Sequence, residues 1–151
     1  MCDPLRGRPF FCMSLVLVLI WLDQATKMFA LAVLPPFECV GQGMAVQMHD
    51  STMVEAMARS AIAGYCLLSL WLTDLPRPLL CLWTGASLSN CIEALVRQSV
   101  VDFLPFRAFG MACVANLADV YLALGLLAAL AMMLLGKIRM ADFVPLYLKG
   151  Y

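Results

Sequence analysis

Asp102 and Asp119 lie seventeen residues apart in a chain of 151 residues that is 64% apolar and only 13% charged. Two carboxyl groups brought close together in a partly dry site cannot both ionise comfortably. One proton is shared, leaving one group as base and the other as acid. Such a pair activates a water for attack on a peptide carbonyl, with neither a metal nor a covalent intermediate. A plainer reading makes Asp102 an interfacial cap and Asp119 a structural hydrogen-bond partner, and spacing alone does not separate the two. Cost argues for use, because a charge in hydrocarbon costs at least about 2.5–3.5 kcal/mol on insertion scales.

Other chemistries find less material. His49 is the only histidine, and it falls in a polar interval away from any obvious nucleophile, so a histidine-activated Ser or Cys is not expected. Seven cysteines are scattered without a CxxC spacing or a Cys/His cluster, which reads as inert packing rather than a zinc site. No P-loop, GxGxxG or Lys/Arg-rich run occurs, and formal net charge is zero, so neither nucleic acid nor a cofactor is expected as a partner.

An ordinary soluble domain is roughly 45–50% apolar and about 25% charged. This chain departs from both values, with a mean hydropathy of +0.89, and is read as a single all-α membrane domain. Four helices are expected, over about residues 10–34, 53–75, 79–101 and 111–135, each long enough to span. Pro35 and Pro36 end the first. Residues 35–52 form an extracytoplasmic segment whose glycines and alternating side chains suit short strands, a small β-cradle between the first two helices. Glu55 and Arg59 are four apart and would face each other or headgroups. Arg6, Arg8, Arg77, Lys137, Arg139 and Lys149 on one side, against Lys27, Arg59, Arg97 and Arg107 on the other, place both termini inside.

With that orientation the third helix exits outward at Asp102. The fourth returns with Asp119 about two turns in, roughly 10–12 Å of rise. Asp23 lies in the outer half of the first helix, with Lys27 one turn further on. Seven of the ten acids fall in this outer half: Asp23, Glu38, Asp50, Glu55, Glu93, Asp102 and Asp119.

Three segments carry a resemblance. Asp23-Gln24-Ala25-Thr26-Lys27 looks like the D-Q-x-(S/T)-K box of the lipoprotein signal peptidase (signal peptidase II) family. Gly85-Ala86-Ser87-Leu88-Ser89-Asn90, followed by Val100-Val101-Asp102-Phe103, resembles its G-N-x-x-D-R and V-V-D-F segments. Asn116-Leu117-Ala118-Asp119 resembles its F-N-x-A-D box. Order and spacing agree over about residues 12–136. The resemblance implies a bacterial inner-membrane aspartyl endopeptidase that cuts diacylglyceryl-modified prolipoproteins just before the lipidated cysteine. It implies Asp102 and Asp119 as the catalytic pair, with Asn90 and Asn116 orienting acids or substrate. Asp23 and Lys27 would hold the first helix against the site, near its periplasmic face. Membrane lipids and the prolipoprotein are the implied partners, and a monomer is expected.

The chain also departs from that pattern. The Asp-Arg pair reads Glu93-Ala94, with Arg97 one turn on as a replacement partner for Glu93. The N-x-G-x-A-F segment reads Gly41-Gln42-Gly43-Met44-Ala45-Val46, where Gln42 stands in for the lost amide. Ala115 replaces the phenylalanine before Asn116, and the glycine before Val-Val-Asp-Phe is replaced within Gln98-Ser99. Such changes touch docking more than water activation. They also leave open a non-catalytic relative that binds lipopeptides or another membrane protein.

Overall fold

A computed structural model describes residues 9–35, 46–108 and 111–148 of the chain. Four helices dominate: α1 (Pro9–Val33), α2 (Met53–Leu72), α3 (Arg77–Arg97) and α4 (Leu117–Leu134). All four are long and apolar enough to cross a membrane. Between them lie four short strands, β1 (Gln47–Asp50), β2 (Ser99–Asp102), β3 (Leu104–Ala108) and β4 (Met111–Ala115), and two 3-10 turns follow α4.

The central helix is α3, with 67% of its spanning window buried against 28%, 22% and 17% for α1, α2 and α4. The reason is its composition. Thr84, Ser87, Ser89, Asn90 and Glu93 are all buried, and lipid offers such groups no partners. A helix carrying them must be wrapped by others, whereas α4, almost wholly apolar, can face lipid. Small residues allow the wrapping. A Cβ on Gly85 would meet Leu19 Cβ of α1 at 2.9 Å, and one on Gly125 of α4 would meet Trp83 Nε1 at 2.4 Å.

Several helix ends differ from the sequence expectation. Glu55 lies within reach of the Arg59 charge, and it has a second task. It closes a capping box at the start of α2, where Thr52 N donates to Glu55 Oε2 (2.9 Å) and Glu55 N donates to Thr52 Oγ1 (3.3 Å), worth about 1 kcal/mol. Helix α2 stops at Leu72 rather than residue 75, because Thr73 is extended and Pro76 and Pro78 lie just ahead. The same prolines are tolerated in the first turn of the next helix, so α3 begins two residues earlier than expected. It ends at Arg97 rather than 101, where Gln98 takes a left-handed conformation with φ 55°. The helix read over 111–135 is also shorter, since Met111–Ala115 is strand and Asn116 caps α4.

The fold is therefore helical with two small two-stranded sheets, and the cradle is not confined to the interval between α1 and α2. Strand β1 does arise there, although residues 36–45, Gln42 among them, lie outside the described residues. Its partner is β2, antiparallel, with Gln47 opposite Asp102 and His49 opposite Val100. Strands β3 and β4 form a hairpin, joined to the first sheet by Phe103 N donating to Ala115 O at 2.9 Å. Ala30, Val46, Val101 and Phe103 pack between the sheets and the end of α1. At the other end of the bundle Val16, Leu70, Leu79 and Leu80 form an apolar core, and Phe143 of the tail folds back onto Trp83.

Candidate active site

Most polar side chains singled out in the sequence meet where the sheets join the helices, and Asn116 is their hinge. As the N-cap of α4 it holds its Oδ1 to the Asp119 amide N–H at 3.0 Å, while Asp119 Oδ2 accepts from Asn116 N at 3.1 Å. A backbone N–H can only donate, so this bond fixes which end of the Asn116 amide is which. The Nδ2 end must face the other way, and it donates to Asp102 Oδ1 at 2.7 Å. One asparagine thus holds both aspartates.

Asp119 is the third residue of α4, in its first turn and not two turns in. That correction follows from the helix starting at Leu117. It brings the carboxylate to the level where β2 delivers Asp102, at the boundary of helices and sheets. Both acids are partly accessible. Burial pushes the Asp102 carboxyl up from its ordinary value. The Asn116 amide and Lys27 pull against this, while the Asp119 and Glu93 charges add to it.

The remaining acceptor of Asp119 leads into the bundle. Asn90 Nδ2 donates to Asp119 Oδ1 at 3.2 Å, and Lys27 Nζ donates to Asn90 Oδ1 at 2.9 Å. An ammonium has no acceptor, so Lys27 fixes the Asn90 amide in the orientation that offers N–H to Asp119. Lys27 Nζ also lies 2.8 Å from Asp23 Oδ2 and 2.7 Å from Glu93 Oε2. The Glu93 contact is off the angles of a hydrogen bond, so it is one of charge. All three side chains are fully buried. Arg97 reaches Glu93 Oε1 from the rim at 3.4 Å, the helical pairing expected four residues on.

Asp23 has a second duty that spacing could not reveal. Its Oδ1 accepts from the Ala118 backbone N–H at 2.8 Å and its Oδ2 from Ser89 Oγ at 2.7 Å. Together with Asn116 it satisfies two of the amide donors that a helix start leaves without partners, and it ties α1 to both α3 and α4. Ser89 and Gln24, bonded to each other at 2.9 Å, complete this tie. Neither was singled out for it, although both sit inside the boxes that carried the resemblance.

Other candidates fall elsewhere. His49 is exposed on β1 with Nε2 3.8 Å from Glu55 Oε1. Among the described residues no group of three or more His, Cys, Asp and Glu side chains is arranged to hold a metal ion. Cys66, Cys81 and Cys91 are buried free thiols.

A family model described as signal peptidase (SPase) II matches residues 15–135. Among solved structures, a bacterial membrane enzyme determined by the in meso method at 2.3 Å resolution is similar in fold. Its TM-score is 0.63 at 18% identity, over 84% of this chain and 88% of that one. No curated protein sequence matches significantly.

Proposed function

Because the chain belongs to the signal peptidase II family, we propose that it is an intramembrane aspartyl endopeptidase that removes signal peptides from diacylglyceryl-modified prolipoproteins, cutting just before the lipidated cysteine. The observation that carries the reading is the double hold of Asn116 on Asp102 and Asp119. Two acids on separate elements are oriented by one amide, where the sheets meet the helices.

Under this reading Asp102, raised by burial, carries the shared proton, and Asp119 is the base. A water between them gives a proton to Asp119 while its oxygen bonds to the peptide carbonyl carbon. Asp102 passes its proton to the carbonyl oxygen, giving a neutral tetrahedral diol. The diol collapses as the C–N bond breaks. One of its hydroxyl protons returns to Asp102, and Asp119 gives its proton to the leaving nitrogen. Asn90 and Asn116 keep the carboxylates aimed through this cycle. Lys27, Asp23, Glu93 and Arg97 hold the helices that carry them.

The protein acts as a monomer in the bacterial inner membrane, with both termini inside and the two sheets forming the extracytoplasmic cradle over the substrate. No cofactor takes part.

Purified protein should cut a synthetic diacylglyceryl lipobox peptide before the cysteine and leave the unlipidated peptide intact. Lipopeptide that binds the folded protein and stays whole would favour the non-catalytic relative, for which Ala94 and Gly41 already speak. Equal cutting of both peptides would contradict the assigned substrate.

A further inference from the structure

Counting the charges in the dry part of the site exposes an imbalance. Lys27 is one cation among two carboxylates, Asp23 and Glu93, and all three side chains are fully buried. Left alone, the trio carries one uncompensated negative charge where water cannot screen it, an arrangement proteins rarely tolerate. The second positive charge comes from Arg97, whose side chain is 31% exposed. Its Nη1 stands 3.4 Å from Glu93 Oε1, and its Nη2 donates to Met28 Sδ of α1 at 2.9 Å. The guanidinium is thus held across two helices, on the residue next to Lys27.

We propose that Arg97 is a positioning residue for the reaction, acting through Glu93, Lys27 and Asn90 on the orientation of Asp119. The route is the bond sequence already described. Arg97 neutralises Glu93, so Lys27 is left free to spend one N–H on Asn90 Oδ1. Lys27 in turn holds Asn90 Nδ2 toward Asp119. Remove the guanidinium, and Glu93 draws the ammonium to itself. The Asn90 carbonyl then loses the donor that fixed it, and its amide can turn over and present oxygen to the Asp119 carboxylate. Arg97 touches neither aspartate, so its influence passes through charge. The charged groups around Glu93 are Lys27 and Asp23 from α1 and Arg97 on its own helix, with Asp102 of β2 and Asp119 of α4 beyond them.

This inference rests on the peptidase reading and makes a prediction that a packing role does not. If Arg97 matters as the partner of a buried charge, removing that charge must repair its loss. Arg97→Ala should lower kcat for the diacylglyceryl lipobox peptide by about tenfold or more, with KM moved much less. Arg97→Lys should keep most of the rate. The double variant Arg97→Ala/Glu93→Gln should outperform Arg97→Ala alone in both kcat and melting temperature in detergent.

An unchanged rate in Arg97→Ala, or a double variant no better than the single one, would overturn the proposal. Should Arg97→Ala fail to accumulate, yield and melting temperature of the double variant decide the matter in the same way. Recovery supports the charge account and continued failure refutes it. Wild type that does not cleave at all would sink the peptidase reading instead. The melting comparison would then still decide whether Arg97 balances Glu93.

Discussion

The two ends of this bundle are held together by different forces. At the end near the Pro76 turn, Val16, Leu70, Leu79, Leu80 and Ala129 fill the space between helices, and each contributes by packing alone. At the sheet end the same job falls to Asp23, Lys27, Asn90, Glu93 and Asn116, all buried. An apolar side chain there would serve stability as well or better, since replacing buried ion pairs by packed apolar groups is often neutral or stabilising. The difference therefore teaches that the sheet end is shaped by something other than the need to fold. Its charges are organised around Asp102 and Asp119, while the opposite end organises nothing.

The comparison can be broken most severely at Lys27. Lys27→Met should cost about 3–5 kcal/mol, because it leaves Asp23 buried without a cation and Glu93 with Arg97 alone. Leu80→Ala at the apolar end should cost a similar 2–5 kcal/mol or so through a cavity. The two part company in activity. Per folded molecule, Leu80→Ala should cleave at the wild-type rate and Lys27→Met should not, as read by turnover normalised to the folded fraction from thermal melts.

A finer cut separates support from chemistry within the sheet end. Asn116→Ser keeps an N-cap oxygen for the Asp119 amide but removes the Nδ2 that holds Asp102. Stability should fall by only a few tenths of a kcal/mol or so, while kcat should drop about tenfold or more from loss of one charge-assisted bond. Equal changes in both would make Asn116 a helix cap and nothing further.

At the end of α3, Gln98 occupies a left-handed position that glycine fills without strain. Gln98→Gly should raise stability by about 0.5–1 kcal/mol in a denaturation series, without altering the peptide specificity.

The smallest effect concerns pH. The Asp102 carboxyl is raised by burial above its ordinary value of 3.8. The folded state therefore keeps this proton to higher pH than the unfolded chain does. Its contribution to stability is complete below 3.8 and is lost as pH rises through the folded value. Asp102→Asn never loses it, so the variant should melt above wild type near neutrality, with the gap closing on acidification. The alkaline limb of the wild-type rate profile should reflect the same proton, with an apparent value belonging to the pair.

Much of this arrangement could be read from residue order. The four helices follow from apolar runs, the pairing of Glu93 with Arg97 from their spacing of four, and the gathering of Asp23, Lys27, Asn90 and Asn116 near the two aspartates from the family resemblance. Strands β2, β3 and β4 could not be read so, although β1 arises in the interval where short strands are expected. Ser99-Val100-Val101 continues the apolar run of α3, and Met111–Ala115 runs into that of α4. A short apolar run does not distinguish strand from helix. What decides is β1, distant in sequence, offering β2 a ladder. Gln98 hides the break further, since the glycine that would signal it is absent. Missing the strands placed Asp119 too deep in its helix. The bond from Ala118 N–H to Asp23 was equally hidden, because a backbone donor has no residue type to mark it.

The central claim is that Asp102 and Asp119 act as one catalytic unit. It is tested most directly by following cleavage of the diacylglyceryl lipobox peptide with wild type, Asp102→Asn, Asp119→Asn and the double variant, all purified and shown to be folded. Each single change should reduce the rate by about a thousandfold or more, and the double variant should be no slower than the singles. Either aspartate replaced with full retention of cleavage would contradict the account.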